Sequence, residues 1–367
     1  MKKILLVLTA VFLVPALGCQ DGTAAAGKKT DWPKPGSAQA IDDDCNCSKA
    51  PLSSIEGMIN YIAPLPAVWS VEQWQNEFSK GLVIETAHYR LYTTLLEPLM
   101  LKQMPAFLEA AYSQYQSQLP QPVATPEKFD IYLFKDRRQW ERFTKSFTGE
   151  QWPLYSKIKK GAYFLKGSCV AYNIGMSRTF SVIGHEGWHQ FCNATFKYRL
   201  PSWLDEGIAQ LFEASDYENG KFVFKQSKNY TKLGALKIAI QNGQMIPLAR
   251  LIALNPGEVV TWDDSSRAVS AFYAQSYAMV RFLREEDYGR RLGNYHQMLL
   301  GAINGTWPMD HNEERIAADR NTQLTAKWNA YIARKLFDIY IGEQSEKIEP
   351  EYLRFCNKIV YHIKVKN

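Results

Sequence analysis

The chain has 367 residues, 46% of them hydrophobic and 22% charged, a profile that excludes a chain disordered over most of its length. A mean hydropathy of −0.30, with no apolar run approaching ~20 residues, excludes a multi-pass membrane protein. Forty-three Lys and Arg against 37 Asp and Glu leave +6, too small and too scattered an excess to argue for nucleic acid as a partner.

In chain order, Lys2 and Lys3 precede the short apolar run Ile4 to Val14, then Pro15 and Gly18 directly before Cys19. Residues 1–18 therefore read as a bacterial export signal of lipoprotein type, with Cys19 as the lipidated residue and new N-terminus. Cleavage by the ordinary signal peptidase is the alternative, since Ala16 stands where such signals prefer Leu. Gln20 rather than Asp follows Cys19, which under the enteric sorting rule favours the outer membrane. Residues 19–50, rich in Gly, Ala, Lys, Asp, Ser and Pro, read as a flexible tether. Residues 51–80 form an N-terminal extension with a short helix expected near Val71 to Phe78. Export implies an oxidising compartment. If Cys19 carries lipid, five of the six cysteines remain, so at least one is not in an intrachain bridge.

From Gly81 the pattern becomes that of a folded domain, expected over 81–345, with 346–367 as a C-terminal segment. Leu82 to Thr93 reads as one or two strands. Leu95 to Gln118 has helical periodicity interrupted near Pro105. Phe129 to Phe134 alternates as a strand and Asp136 to Phe147 suits a helix. Gly161–Leu165 and Cys169–Asn173 flank Lys166-Gly167-Ser168 as a hairpin. Helices follow at Thr179 to Ala194, with Thr179 or Ser181 as cap, and at Ser202 to Ala214, with Ser202 as N-cap. Beyond Leu233 the chain reads as mostly helical, with breaks at Gly243, Pro256, Gly289, Gly305 and Pro308. Strands early and helices late predict an α+β fold: a small N-terminal sheet, then a mostly helical region.

The chemistry is concentrated at His185-Glu186-Gly187-Trp188-His189, an H-E-x-x-H pattern in a chain with only six His. Residues at i and i+4 share one helical face, so both imidazoles can bind one Zn²⁺. Glu186 is rotated away from His185, where its carboxylate can reach an activated water without ligating the metal. A third ligand is required. Cys192 and Thr195 occupy the positions where the extended pattern needs Gly and His, which excludes that class. Cys192 itself is a geometric option. Glu206, within Leu200-Pro-Ser-Trp-Leu-Asp-Glu-Gly-Ile-Ala, is the stronger one, because a short connection lets its helix pack on the first.

These two stretches resemble the gluzincin metallopeptidases, and in particular the exported peptidase MA-like proteins of bacteria. Tyr163-Phe-Leu, Val170-Ala-Tyr-Asn and Phe272 to Leu283 extend the likeness, over roughly Gly81 to Tyr340. The resemblance implies a zinc-dependent hydrolase of peptide bonds. His185, His189 and Glu206 would hold Zn²⁺, and Glu186 would be the general base. Tyr273, or Tyr277 one turn on, would donate to the oxyanion. The strand Ala162 to Leu165 would lie along an extended substrate backbone. Related enzymes of the thermolysin branch place Asp four residues after the ligand Glu, to support a His. Here that residue is Gln210, with Asp205 or Glu213 as substitutes. The reading is thus an envelope lipoprotein, anchored through Cys19, acting on peptide or protein. The competing reading is a non-catalytic binding or scaffold lipoprotein of the same fold, which would have no use for Glu186. A non-peptide amide as substrate is a third.

Overall fold

The structure is a computed structural model that describes residues 51–125, 127–158, 161–259, 265–320 and 325–365. The export signal, Cys19 and the tether lie outside the described residues. The first helix, α1 (Ile55–Ile62), starts at Ser54, whose hydroxyl accepts from Gly57 N. The segment expected as a helix near Val71–Phe78 instead begins with strand β1 (Ser70–Gln73). Its backbone pairs with β2 (Leu82–Glu85), and Asn76 Oδ1 turns the chain between them by accepting from Phe78 N and Ser79 N. Sheet pairing and an Asx-type turn here outweigh a weak helical periodicity.

Strand β3 (Tyr89–Thr93) follows β2, so Leu82 to Thr93 forms two strands. Helix α2 (Pro98–Gln116) runs through Pro105 without a break. The ring removes one ladder hydrogen bond, a cost of about 3 kcal/mol, but Met100, Leu101, Met104, Phe107 and Leu108 are all buried along the same helix. That apolar burial offsets it. Next come β4 (Phe129–Phe134), α3 (Arg137–Thr148), a single turn α4 (Trp152–Tyr155), and the hairpin β5 (Ala162–Leu165) and β6 (Ser168–Tyr172).

The six strands lie in the order β1-β2-β3-β4-β6-β5. β3, β4 and β6 are parallel, and the pairs at both ends are antiparallel, which leaves β5 as an edge. The period-2 alternation explains how both faces are used. Along β6, Cys169 and Ala171 enter the main core, whereas Val170 and Tyr172 enter a second cluster with Trp140 of α3, Tyr155 and Tyr163.

Helix α5 (Met176–Thr195) carries the H-E-x-x-H residues across the main-core face of the sheet and packs on α2. It starts ahead of Thr179, whose Oγ1 accepts from Ile174 N instead of capping. Helix α6 (Ser202–Ala209) has Pro201, not Ser202, at its N-cap. Ser202 is already helical, and its N–H and hydroxyl both donate to Asn329 Oδ1. The expected run to Ala214 ends earlier, through a 3₁₀ turn at Gln210–Phe212. A small hairpin, β7 (Ser215–Glu218) and β8 (Lys221–Phe224), follows. Its Asn219-Gly220 turn has φ of 51° and 80°, a pairing that signals such hairpins from sequence.

The remainder is helical, as expected: α7 (Tyr230–Gln241), α8 (Leu248–Leu251), α9 (Pro256–Val259), α10 (Ser265–Glu285), α11 (Leu292–Asn304), α12 (His311–Ala318), α13 (Ala326–Ile341) and α14 (Ser345–Val360). The fold is thus α+β, with a small N-terminal sheet and a helical C-terminal region. β1, upstream of Gly81, belongs to the sheet, and Ile348, Tyr352 and Phe355 of α14 belong to the main core. No described helix is long and apolar enough to cross a membrane.

Helices α6 and α10 touch backbone to backbone at Gly207. A Cβ there would lie 2.5 Å from Ser276 O and 2.6 Å from Val280 Cγ2. A main-chain carbonyl in a packed helix cannot step aside. Gly207→Ala is therefore expected to destabilise by about 1–3 kcal/mol, net of alanine's better helix propensity. Chemical denaturation of the variant checks this.

Candidate metal centre

His185 and His189 sit one turn apart on α5, and Glu206 projects from α6 opposite them. His185 Nε2 and His189 Nε2 are 3.3 Å apart. Glu206 Oε2 is 3.3 Å from the first and 3.8 Å from the second. A tetrahedral ion with bonds of ~2.0–2.1 Å separates its donors by about 3.3 Å, so the triangle has the size such an ion needs. All three side chains are buried. Glu206 Oε2 has no hydrogen-bond partner, which is costly for a carboxylate unless a cation meets it. The residues present fit a metal ion. Cys192, although it lines the same cleft, is not part of this group; burial pushes its thiol pKa up, away from the thiolate that ligation needs.

The order of the two helices comes from contacts that bracket the ligands. Tyr115 Oη of α2 donates to Gly184 O, 2.8 Å, and sits where a Cβ on Gly187 would have to go. Gln190 Nε2 donates to Asp130 O and to Gly167 O in the β5–β6 turn, tying α5 to the end of the sheet. Trp188 Nε1 donates to Asp205 Oδ1, 3.0 Å, and so links α5 to α6.

Each imidazole has its own carboxylate behind it. His185 Nδ1 is 2.9 Å from Glu213 Oε1. His189 Nδ1 is 3.2 Å from Asp205 Oδ2, at an angle too oblique for a full hydrogen bond. A carboxylate at Nδ1 holds the proton there and leaves the Nε2 lone pair facing the ion. Gln210 does not take this part: its Nε2 donates to Glu206 O within its own helix. Of the alternatives weighed for that role, Glu213 serves one histidine and Asp205 the other.

Burial alone would lower both imidazole pKa values, but the carboxylates outweigh it and lift each to about 9. Glu206 and Glu213 act on His185; Asp205 and Glu206 act on His189. The same field attracts a cation to this point. Glu213 behaves in the opposite sense. Burial would raise it, but Lys232, His185 and Asn229 hold it down at about 2. Lys232 Nζ is 3.2 Å from Glu213 Oε1, and Asn229 Nδ2 donates to Glu213 Oε2, 2.9 Å. Sequence spacing does not single out Lys232 or Asn229. Both come from the start of α7, after the unexpected hairpin. Glu213→Gln keeps an acceptor but removes the charge, and strands a nearly buried Lys232. It is expected to weaken metal binding by about 10–100-fold, measured by competition against a chromogenic chelator.

Glu186 is fully buried, and neither of its oxygens has a hydrogen-bond partner. Burial drives its pKa well above the usual carboxylate range, His189 opposes the rise, and Glu206 reinforces it. The Phe164 backbone N–H of edge strand β5 approaches it without a well-formed hydrogen bond and also opposes the rise. Tyr273 is buried close enough for Glu206, Glu186 and Glu213 to add to the burial that raises its phenol. Tyr277 is turned elsewhere: its Oη donates to Gln226 O, 2.8 Å, and accepts from Arg281. The structure thus brings Tyr273, and not Tyr277, to the carboxylates. Tyr155, absent from the sequence expectations, also lies within the field of Glu186. His88 is held by Glu109 at 2.6 Å and stacks on Tyr112, away from the centre.

With this geometry established, comparison with known proteins adds one likeness. The family model "Protein of unknown function (DUF1570)" matches residues 179–298. The matched third of the chain spans α5 to α11 and contains His185, Glu186, His189, Glu206, Glu213, Lys232 and Tyr273. No curated protein matches the chain.

Proposed function

We propose that this protein is a zinc-dependent metallopeptidase of gluzincin type. The observation that carries the reading is the partnerless Glu186 beside the ligand triangle. A structural metal site needs its ligands and their supports, and has no use for an additional buried carboxylate whose burial costs several kcal/mol. Two imidazoles and one carboxylate are a donor set suited to Zn²⁺, with a position left open for chemistry. A zinc ion held there supplies a Lewis acid that polarises a carbonyl and acidifies water toward a pKa of ~7.

The chain's own residues supply the rest. Glu186 accepts a proton from water at its carboxylate and returns it to the leaving amine. Burial, which raises its pKa, favours its holding that proton between the two transfers. Tyr273 donates its phenolic hydrogen to the carbonyl oxygen as negative charge develops. That phenol stays protonated, because burial and three carboxylates oppose its ionisation. β5 is the strand at this edge of the sheet, where an extended peptide would add alongside it. Export, the lipid anchor at Cys19 and a place in the bacterial cell envelope belong to the same proposal and rest on the sequence of residues 1–19.

The test is metal content by mass spectrometry on the purified protein, followed by cleavage of a peptide library. About one zinc per chain and chelator-sensitive cleavage are expected. A folded protein that takes up no zinc would sink the reading.

A further inference from the structure

The cleft does not end at the ligands. A cavity of about 210 Å³ extends from His189, Asp205 and Glu206 to two arginines, Arg199 on the loop before α6 and Arg320 after α12. Of the acidic side chains in its wall, Asp205 lies close enough to both His189 and Arg320 to act on each. Asp205 holds Trp188 and faces His189, and Glu206 faces both imidazoles. Both guanidiniums are anchored by main-chain carbonyls: Arg199 donates to Ile316 O, 2.8 Å, and Arg320 to Phe196 O. Arg199 is half-buried and Arg320 is exposed. Burial and the neighbouring Arg320 charge together depress Arg199 to about 10, with Asp319 opposing them. Asp319 and Asp205 offset part of this charge, and a planar carboxylate entering the cavity matches the geometry of the guanidinium forks that line it.

We propose that Arg199 and Arg320 form a carboxylate-binding subsite, so that the substrates are peptides carrying a carboxylate next to the scissile bond. This deepens the metallopeptidase reading and rests on it. The carboxylate is either the C-terminus of a chain or the side chain of Asp or Glu, and both present the same planar group to the same two residues. Arg199 and Arg320 act here as specificity-determining residues; neither touches the reacting atoms.

The experiment is calorimetric binding to the full chain carrying Glu186→Gln, so that no probe is turned over. Three tetrapeptides are used: acetyl-Ala-Ala-Ala-Ala with a free C-terminus, acetyl-Ala-Ala-Glu-Ala amide, and the neutral acetyl-Ala-Ala-Ala-Ala amide. One carboxylate probe is expected to bind about tenfold or more tighter than the neutral one. Which of the two it is identifies the source. Arg320→Gln, which removes the charge and the contact to Phe196 O and is therefore checked for an unchanged melting temperature, and Arg199→Lys, which keeps the charge but loses the fork, are each expected to abolish most of that preference. Equal or unmeasurable affinity for all three probes, or a preference untouched by either variant, overturns the proposal. The two readings fail separately. Wild-type protein that cleaves peptides without carboxylate preference leaves the peptidase and removes the subsite. Arginine-dependent binding by a protein that cleaves nothing does the reverse.

Discussion

Glu186→Gln is expected to retain its metal and lose peptide hydrolysis by about 10²–10⁴-fold, the range a positioned general base contributes. The substitution is nearly isosteric and falls on a fully buried side chain that lacks hydrogen-bond partners. An uncharged amide removes the desolvation cost that drives the Glu186 pKa up, so the variant is expected to be at least as stable as the wild type. Retained metal, a higher melting temperature and lost activity together form a pattern that a structural role for Glu186 would not produce. Single-turnover cleavage beside a metal assay reads all three. Undiminished hydrolysis would remove Glu186 from the reaction.

Glu206→Ala is expected to weaken metal binding by more than the ~10–100-fold typical of outer partners, because it deletes one corner of the donor triangle itself. In the wild type Glu206 Oε2 lies 3.3 and 3.8 Å from the two imidazole nitrogens and makes no hydrogen bond. The carboxylate therefore has no scaffolding contact to lose at that oxygen. The helix around it is held independently by Trp188–Asp205 and by the approach of Gly207 to Ser276. Loss of metal with the fold intact is the expected outcome, measured by mass spectrometry and circular dichroism. Full retention would mean that another carboxylate of the cluster, Asp205 or Glu213, completes the site.

The two variants separate binding from turnover. One should keep metal without activity, the other should lose both. If both lose metal, Glu186 is a ligand and the proposed division of labour is wrong.

How much of this was legible depended on distance along the chain. His185 and His189 share one face because a helix repeats every 3.6 residues, and that requires only the local helix. The strands Leu82–Glu85, Tyr89–Thr93 and Phe129–Phe134 followed from alternation for the same reason. The miss at Val71–Phe78 came where periodicity was weak and pairing with β2 decided the outcome. Pro105 was read as a break because local propensity carries no information about the buried neighbours that hold α2 together. Tyr273 was the candidate from the sequence and Tyr277, one turn on along the same helix, the alternative. Packing gives the Tyr277 hydroxyl to Gln226 and Arg281 and leaves Tyr273 near the carboxylates.

The sequence by itself determined the α+β order of elements, the two histidines with Glu186 on one helix, and Glu206 as a candidate on the next. Each of these is a matter of periodicity or of a short connection, so neighbouring residues suffice. Only the tertiary structure decided which carboxylate backs which imidazole. It also placed Lys232 and Asn229 behind Glu213, and Arg199 and Arg320 in one cavity. Those approaches join elements far apart in the chain. They exist because burial of the intervening apolar surface brings charged groups together that have no mutual signal in sequence.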